Sequence, residues 1–145
     1  MTENINFFFE DLKEPDLDYK KITVWLSLLI KNHNYSLTEI NYILCSDEYI
    51  LSINQEYLDH DYYTDIITFD NSEEQEETIE SDIFVSVERV IDNAKEHKEK
   101  FSKEILRVLA HGVLHLIGYK DKSIDEAKEM RIQEDKAIKS YINIS

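Results

Sequence analysis

The sequence predicts an α+β fold: a small mixed four-stranded β-sheet packed with five to six helices, the helix that carries His111 and His115 being central. Three observations predict it. Apolar residues change period along the chain in the order strand, helix, strand, helix, two strands, then helices, which mixes crossover with hairpin-like connections. Only two glycines and one proline occur in 145 residues, which leaves short connections and no linker. Hydrophobic residues make up 42% of the chain, enough to build a core. One domain spanning residues 1–145 is therefore expected.

Taken in order, Ile5–Phe9 is β-prone and opens the chain as a first strand. From Asp18 to Lys31 the residues Ile22, Trp25, Leu26, Leu29 and Ile30 recur at helical spacing, and Asn32-His33-Asn34 ends the segment. Glu39 to Cys45 reads as a strand with Ile40, Tyr42 and Leu44 on one face. Ser46 caps a second helix, whose first turn holds Asp47 and Glu48 and whose stripe is Ile50, Leu51, Ile53, Tyr57 and Leu58. Thr64–Phe69 and Ile83–Val87 are short strands, and the acidic segment Asp70–Asp82 between them reads as a solvated loop. Three helices follow: one from about Val87 to Lys98, one capped by Ser102, and one capped by Ser123 with Glu126 completing a capping box.

A net charge of −15 argues against strong non-specific binding to nucleic acid, since the phosphate interaction needs clustered Lys and Arg. Lys95, Lys98, Lys100 and Lys103 form a modest patch, read as one solvated helix end. The single cysteine, Cys45, sits in an apolar run and reads as a buried thiol of a reducing compartment. No apolar stretch approaches the ~20 residues that span a bilayer, so a cytoplasmic protein without membrane contact is expected.

The informative segment is His111-Gly-Val-Leu-His115-Leu-Ile-Gly118-Tyr-Lys-Asp121. Residues four apart stack on one helix face, so the two imidazoles can share one metal. Gly118 can take the left-handed conformation that ends the helix and turns the chain back. Asp121, ten residues after His111, then returns as a third ligand. Gly112 is a poor mid-helix residue, costing about 1 kcal/mol against Ala, which implies a close approach to the backbone there. It also occupies the position where zinc proteases of this spacing carry a catalytic Glu, which counts against peptide substrates. A metal with two or three protein ligands lowers the pKa of its water toward ~7 and polarises phosphoryl oxygens, so phosphodiester hydrolysis is the better-supported chemistry. Metal-activated water is the expected nucleophile, and no side-chain general base or substrate-binding residue is assigned.

The segment HGVLHLIGYKD resembles the signature H-G-x-L-H-L-x-G-Y-D-H of the YbeY family of bacterial endoribonucleases and ribosomal-RNA maturation factors. Ile53-Asn54-Gln55-Glu56-Tyr57 followed by Thr64-Asp65-Ile66-Ile67-Thr68-Phe69 resembles a second family block, and Ser81-Asp82-Ile83-Phe84-Val85 resembles its G-D-I-x-I strand. Two positions depart from the pattern: Asp121 stands where the family has a third His, and Leu58 where it usually has an Arg thought to engage RNA.

The resemblance implies a zinc-dependent, single-strand-specific endoribonuclease with one ion per chain on His111, His115 and Asp121. With a carboxylate as third ligand, another divalent ion is an open alternative. It further implies 16S rRNA 3′-end maturation and ribosome quality control on the small ribosomal subunit, with a ribosomal protein or a ribosome-associated GTPase as partner. Leu58 and the acidic surface favour an alternative, a non-catalytic ribosome-assembly factor with a structural metal. The spacing of the ligands also raises a metallopeptidase, against which Gly112 counts.

Overall fold

The computed structural model describes residues 4–60, 63–72 and 77–144. Four strands form one sheet: β1 (Ile5–Glu10), β2 (Ser36–Cys45), β3 (Ile66–Asp70) and β4 (Thr78–Ser86), in spatial order β1-β2-β4-β3. β1 runs parallel to β2 and β2 parallel to β4, whereas β3 is antiparallel to β4 and forms an edge. The helices are α1 (Tyr19–Asn32), α2 (Asp47–Leu58), α3 (Val87–Glu96), α4 (Phe101–Ile117) and α5 (Ile124–Ile142). The predicted fold class and order of elements hold. No helix among the described residues is long and apolar enough to cross a membrane.

Strand alternation sends side chains to two unequal layers. On β2, Ile40, Tyr42 and Leu44 enter the main core with residues of α1, α4 and α5, while Cys45 joins a smaller cluster with Ile50, Ile53 and Ile67 under α2. Two hydrogen bonds tie the main layer together: the Tyr42 hydroxyl donates to the Leu109 carbonyl at 2.9 Å, and Trp25 Nε1 to the Ala137 carbonyl at 2.7 Å. α4 lies across this layer with every residue from Glu104 to Ala110 buried, which makes it the central helix. Burial pushes the Cys45 thiol up to about 12, so it is an inert core group.

Several boundaries differ from the sequence reading. β4 begins at Thr78, inside the segment read as a loop, because Thr78–Glu80 already pair with β2 and β3 joins from Ser81 onward, and this backbone pairing outweighs the polar composition. Ile79 and Ser81 point inward there, and Glu80 and Asp82 alternate outward. Residues 73–76 of that segment lie outside the described residues. Helix α2 buries Ile50, Ile53 and Asn54, whereas Tyr57 and Leu58 are exposed, since the helix runs past the end of its small cluster. The cap of α4 is Lys100, not Ser102, because Phe101 already packs on the core and draws Ser102 into the first turn. α3 ends at Glu96, two residues early, and Lys98 takes a left-handed φ of 56°. The capping box of α5 is present, with Ser123 and Glu126 exchanging bonds of 3.1 and 3.0 Å.

Candidate metal centre

The site forms where α4 runs out beside the edge strand β3. Gly112 sets that approach: a Cβ there would lie 3.1 Å from Ile66 Cδ1 and 3.3 Å from Ile83 Cδ1. The close neighbour expected from the mid-helix glycine is therefore the sheet itself. A side chain at 112 would point into the sheet, so the position offers no place for a protease-type Glu beside the histidines. Glycine is required at the other end for a different reason. Gly118 has φ 121°, and its N–H and that of Tyr119 both bond the Leu114 carbonyl, closing α4 and reversing the chain.

That reversal carries Asp121 back over the histidine pair. Asp121 Oδ2 lies 3.4 Å from His111 Nε2 and 3.4 Å from His115 Nε2. The two imidazoles meet edge to face with centroids 4.5 Å apart. One ligand atom from each of the three residues falls within 4.8 Å of the others, so the group can hold a metal ion. The separations fit one: zinc bonds of about 2.0–2.2 Å in a tetrahedron give ligand–ligand edges of about 3.3–3.6 Å. They are also longer than the 2.7–3.2 Å of a good N–H···O bond, so three polar atoms converge without bonding one another well. The structure brings these three sequence-predicted residues into one group.

The structure adds residues that the sequence reading missed. Glu134 on α5 is buried, and its Oε2 accepts from His111 Nδ1 at 2.7 Å. Its Oε1 accepts from Arg107 Nη1 at 3.1 Å, and Arg107 Nη2 reaches Asp135 at 2.9 Å. Both charges sat on otherwise apolar helix faces: Glu134 among Met130, Ala137 and Ile138, and Arg107 within the buried run of α4. A charge on an apolar stripe was the available signal. Burial of the His111 ring opposes its protonation, but the hydrogen bond and charge of Glu134, with Asp121 and Asp65, outweigh it and raise its pKa. Asp65 is raised chiefly by burial, against the pull of His111.

Thr64, Asp65, Ile66, Thr68 and Asp70 from the β3 side face His111, His115, Leu116 and Asp121 across an open cleft of about 540 Å³. Leu58 and the lysines at 95, 98, 100 and 103 are exposed and do not line it. Lys103 pairs with Glu99 at 3.4 Å, in keeping with a solvated helix end.

Fold and site together define an α+β protein with a candidate single-metal centre in an open cleft. The family model described as Endoribonuclease YbeY matches residues 9–142, and the chain belongs to that family. Curated relatives of that name include one from Cytophaga hutchinsonii, 52% identical over 136 residues and covering 94% of each chain. Another, from Flavobacterium johnsoniae, is 51% identical and covers 94% of this chain and 96% of its own. A solution structure of a Thermotoga maritima protein superposes with a TM-score of 0.68 at 28% identity, covering 93% of this chain and 88% of that one.

Proposed function

We propose that this protein is a metal-dependent, single-strand-specific endoribonuclease that holds one zinc ion on His111, His115 and Asp121. Its expected place is the cytoplasm, in 16S rRNA 3′-end maturation and ribosome quality control. Its partners there are the small ribosomal subunit and a ribosomal protein or ribosome-associated GTPase. The observation that carries this reading is the convergence of three zinc-type donor atoms in an open cleft, in a chain of the endoribonuclease YbeY family.

When bound, the ion would supply Lewis acidity, polarising a phosphoryl oxygen and making water a stronger acid. The chain's own residues do the rest. His111 and His115 would hold the ion from α4, and Asp121 would close the third corner from the turn at Gly118. Thr64 and Thr68 offer hydroxyls and Ile66 and Leu116 apolar surface to the cleft, chemistry suited to an unpaired ribose and base. Because β3 is an edge strand, a single strand can enter beside it without displacing structure.

Cleavage of a single-stranded RNA by pure protein, with and without chelator and alongside His115→Ala, tests the reading. Activity is expected to vanish in both treatments. Activity surviving both would overturn metal-dependent catalysis. A second reading, a non-catalytic assembly factor with a structural metal, draws support from the exposed Leu58. Under it, zinc would bind and stabilise the protein while RNA stays intact.

A further inference from the structure

We infer that Glu134 is a positioning residue for the metal centre: clamped by Arg107, it fixes His111 in the tautomer whose Nε2 lone pair faces Asp121 and His115. The inference rests on the reading of that trio as a metal site, and concerns which ring nitrogen is presented to the ion.

Imidazole binds a metal only through an unprotonated nitrogen, and a neutral ring carries its proton on one nitrogen or the other. In His111 the choice is made by Nδ1, which lies 2.7 Å from Glu134 Oε2. A carboxylate beside a guanidinium accepts and does not donate, so Nδ1 carries the hydrogen and Nε2 is left with its lone pair. That lone pair lies on the side of the ring where Asp121 Oδ2 sits 3.4 Å away. The carboxylate in turn cannot swing aside. Its other oxygen is held by Arg107 Nη1 at 3.1 Å, both side chains are only 7% exposed, and Arg107 is anchored a second time on Asp135. Buried charge from two helices, Arg107 on α4 and Glu134 on α5, thus converges on one ring nitrogen. A carboxylate that receives the second N–H of a ligating His fixes its orientation, and loss of such a partner weakens metal binding by about 10–100-fold.

Glu134→Gln tests this with almost no change in volume. The guanidinium draws the one remaining amide oxygen, which turns the NH₂ toward His111 Nδ1 and now asks that nitrogen to accept. Nε2 then carries the proton and points it at the metal position.

The experiment is a long-range ¹H–¹⁵N correlation on metal-free protein labelled at histidine, at a pH where the ring is neutral, paired with zinc titration by calorimetry. Wild type is expected to show His111 protonated at Nδ1. Glu134→Gln should show it protonated at Nε2, with the His115 signals unmoved and zinc affinity lower by about 10–100-fold. Glu129→Gln, on the exposed face of α5 where Glu129 accepts from Gln133 at 2.7 Å, should leave the His111 tautomer and zinc affinity as in wild type.

A wild-type His111 protonated at Nε2 overturns the inference whatever the variants do, and so does a folded Glu134→Gln protein that keeps both the Nδ1 proton and wild-type zinc affinity. If wild type binds no zinc, the metal reading fails, while the tautomer spectra still decide whether Glu134 orients the ring.

Discussion

Zinc should raise the thermal midpoint of this protein through Asp121, and the size of the effect can be worked out. An ion present at 100 times its Kd stabilises the native state by about 2.7 kcal/mol. Unfolding entropies run near 2.1 cal/mol/K per residue, so a chain of 145 residues has about 0.3 kcal/mol/K at its midpoint, and Tm should rise by about 9 °C. Asp121→Ala removes one of three converging ligands. A loss of about 100-fold in affinity, the upper figure for removing even an outer partner, leaves zinc near its new Kd. The stabilisation then falls to about 0.4 kcal/mol, or about 1 °C. The same substitution in metal-free protein should change stability by no more than about 0.5 kcal/mol, because the Asp121 side chain is 41% exposed. Differential scanning fluorimetry with and without zinc, on wild type, Asp121→Ala and His115→Ala, reads all of this. A wild-type midpoint indifferent to zinc would refute the reasoning. So would equal zinc shifts in all three proteins.

Other consequences follow from the same geometry. Gly118→Ala places a Cβ on a backbone at φ 121°, which should cost about 1–3 kcal/mol in urea unfolding. It should also weaken zinc binding, since the turn delivers Asp121; unchanged values of both would show that the turn tolerates a side chain. Leu109→Ala empties a fully buried position of α4 and should cost about 2–5 kcal/mol with little loss of zinc stoichiometry. In metal-free protein the raised pKa of His111 gives a stabilisation fully present below its unfolded value of about 6.5 and lost as pH rises through the folded value. Urea midpoints in chelator across that window should therefore fall with pH from this group. Zinc affinity should rise over the same window as the ring gives up its proton; calorimetry showing the reverse trend would exclude His111 as a ligand.

Local chemistry makes much of this molecule legible in its sequence. The capping box at Ser123, the period of α1 and the alternation of β2 each depend on neighbours within a few residues. So does the site's first outline: His111, His115 and Asp121 fall within eleven residues, and Gly118 explains how the last returns. What escaped was set by partners distant in sequence. Glu134 meets His111 from 23 residues away, and a glutamate on α5 reads as solvent-facing until its neighbours Met130, Ala137 and Ile138 are seen to be core. The start of β4 escapes for the converse reason. Its polar outward residues look like loop, but its backbone pairs with β2 from Thr78 and with β3 from Ser81. Tyr57 and Leu58 keep the helical period where α2 faces mostly solvent, with Tyr57 reaching only the edge of the cluster at the Phe69 ring.

The cleft's charge decides how a polyanion could enter it. Asp65, Asp70 and Asp121 line it, and among the described lining residues there is no Lys or Arg. Arg107, the nearest buried cation to His111, already shares its charge between Glu134 and Asp135. A phosphodiester approaching β3 therefore meets carboxylates unless a divalent ion on the histidine pair offsets them. Asp121 sharpens this dependence. In place of a neutral imidazole it brings a negative charge, so a dication on His111, His115 and Asp121 leaves one net positive charge at the centre rather than two. Such a site attracts phosphate weakly and at short range, through the ion, and not through a spread of basic side chains. Counterion release scales with the number of Lys and Arg that touch phosphates. Few such contacts should give RNA binding a shallow dependence on salt and a steep one on chelator, the opposite of a protein that holds RNA by a basic face.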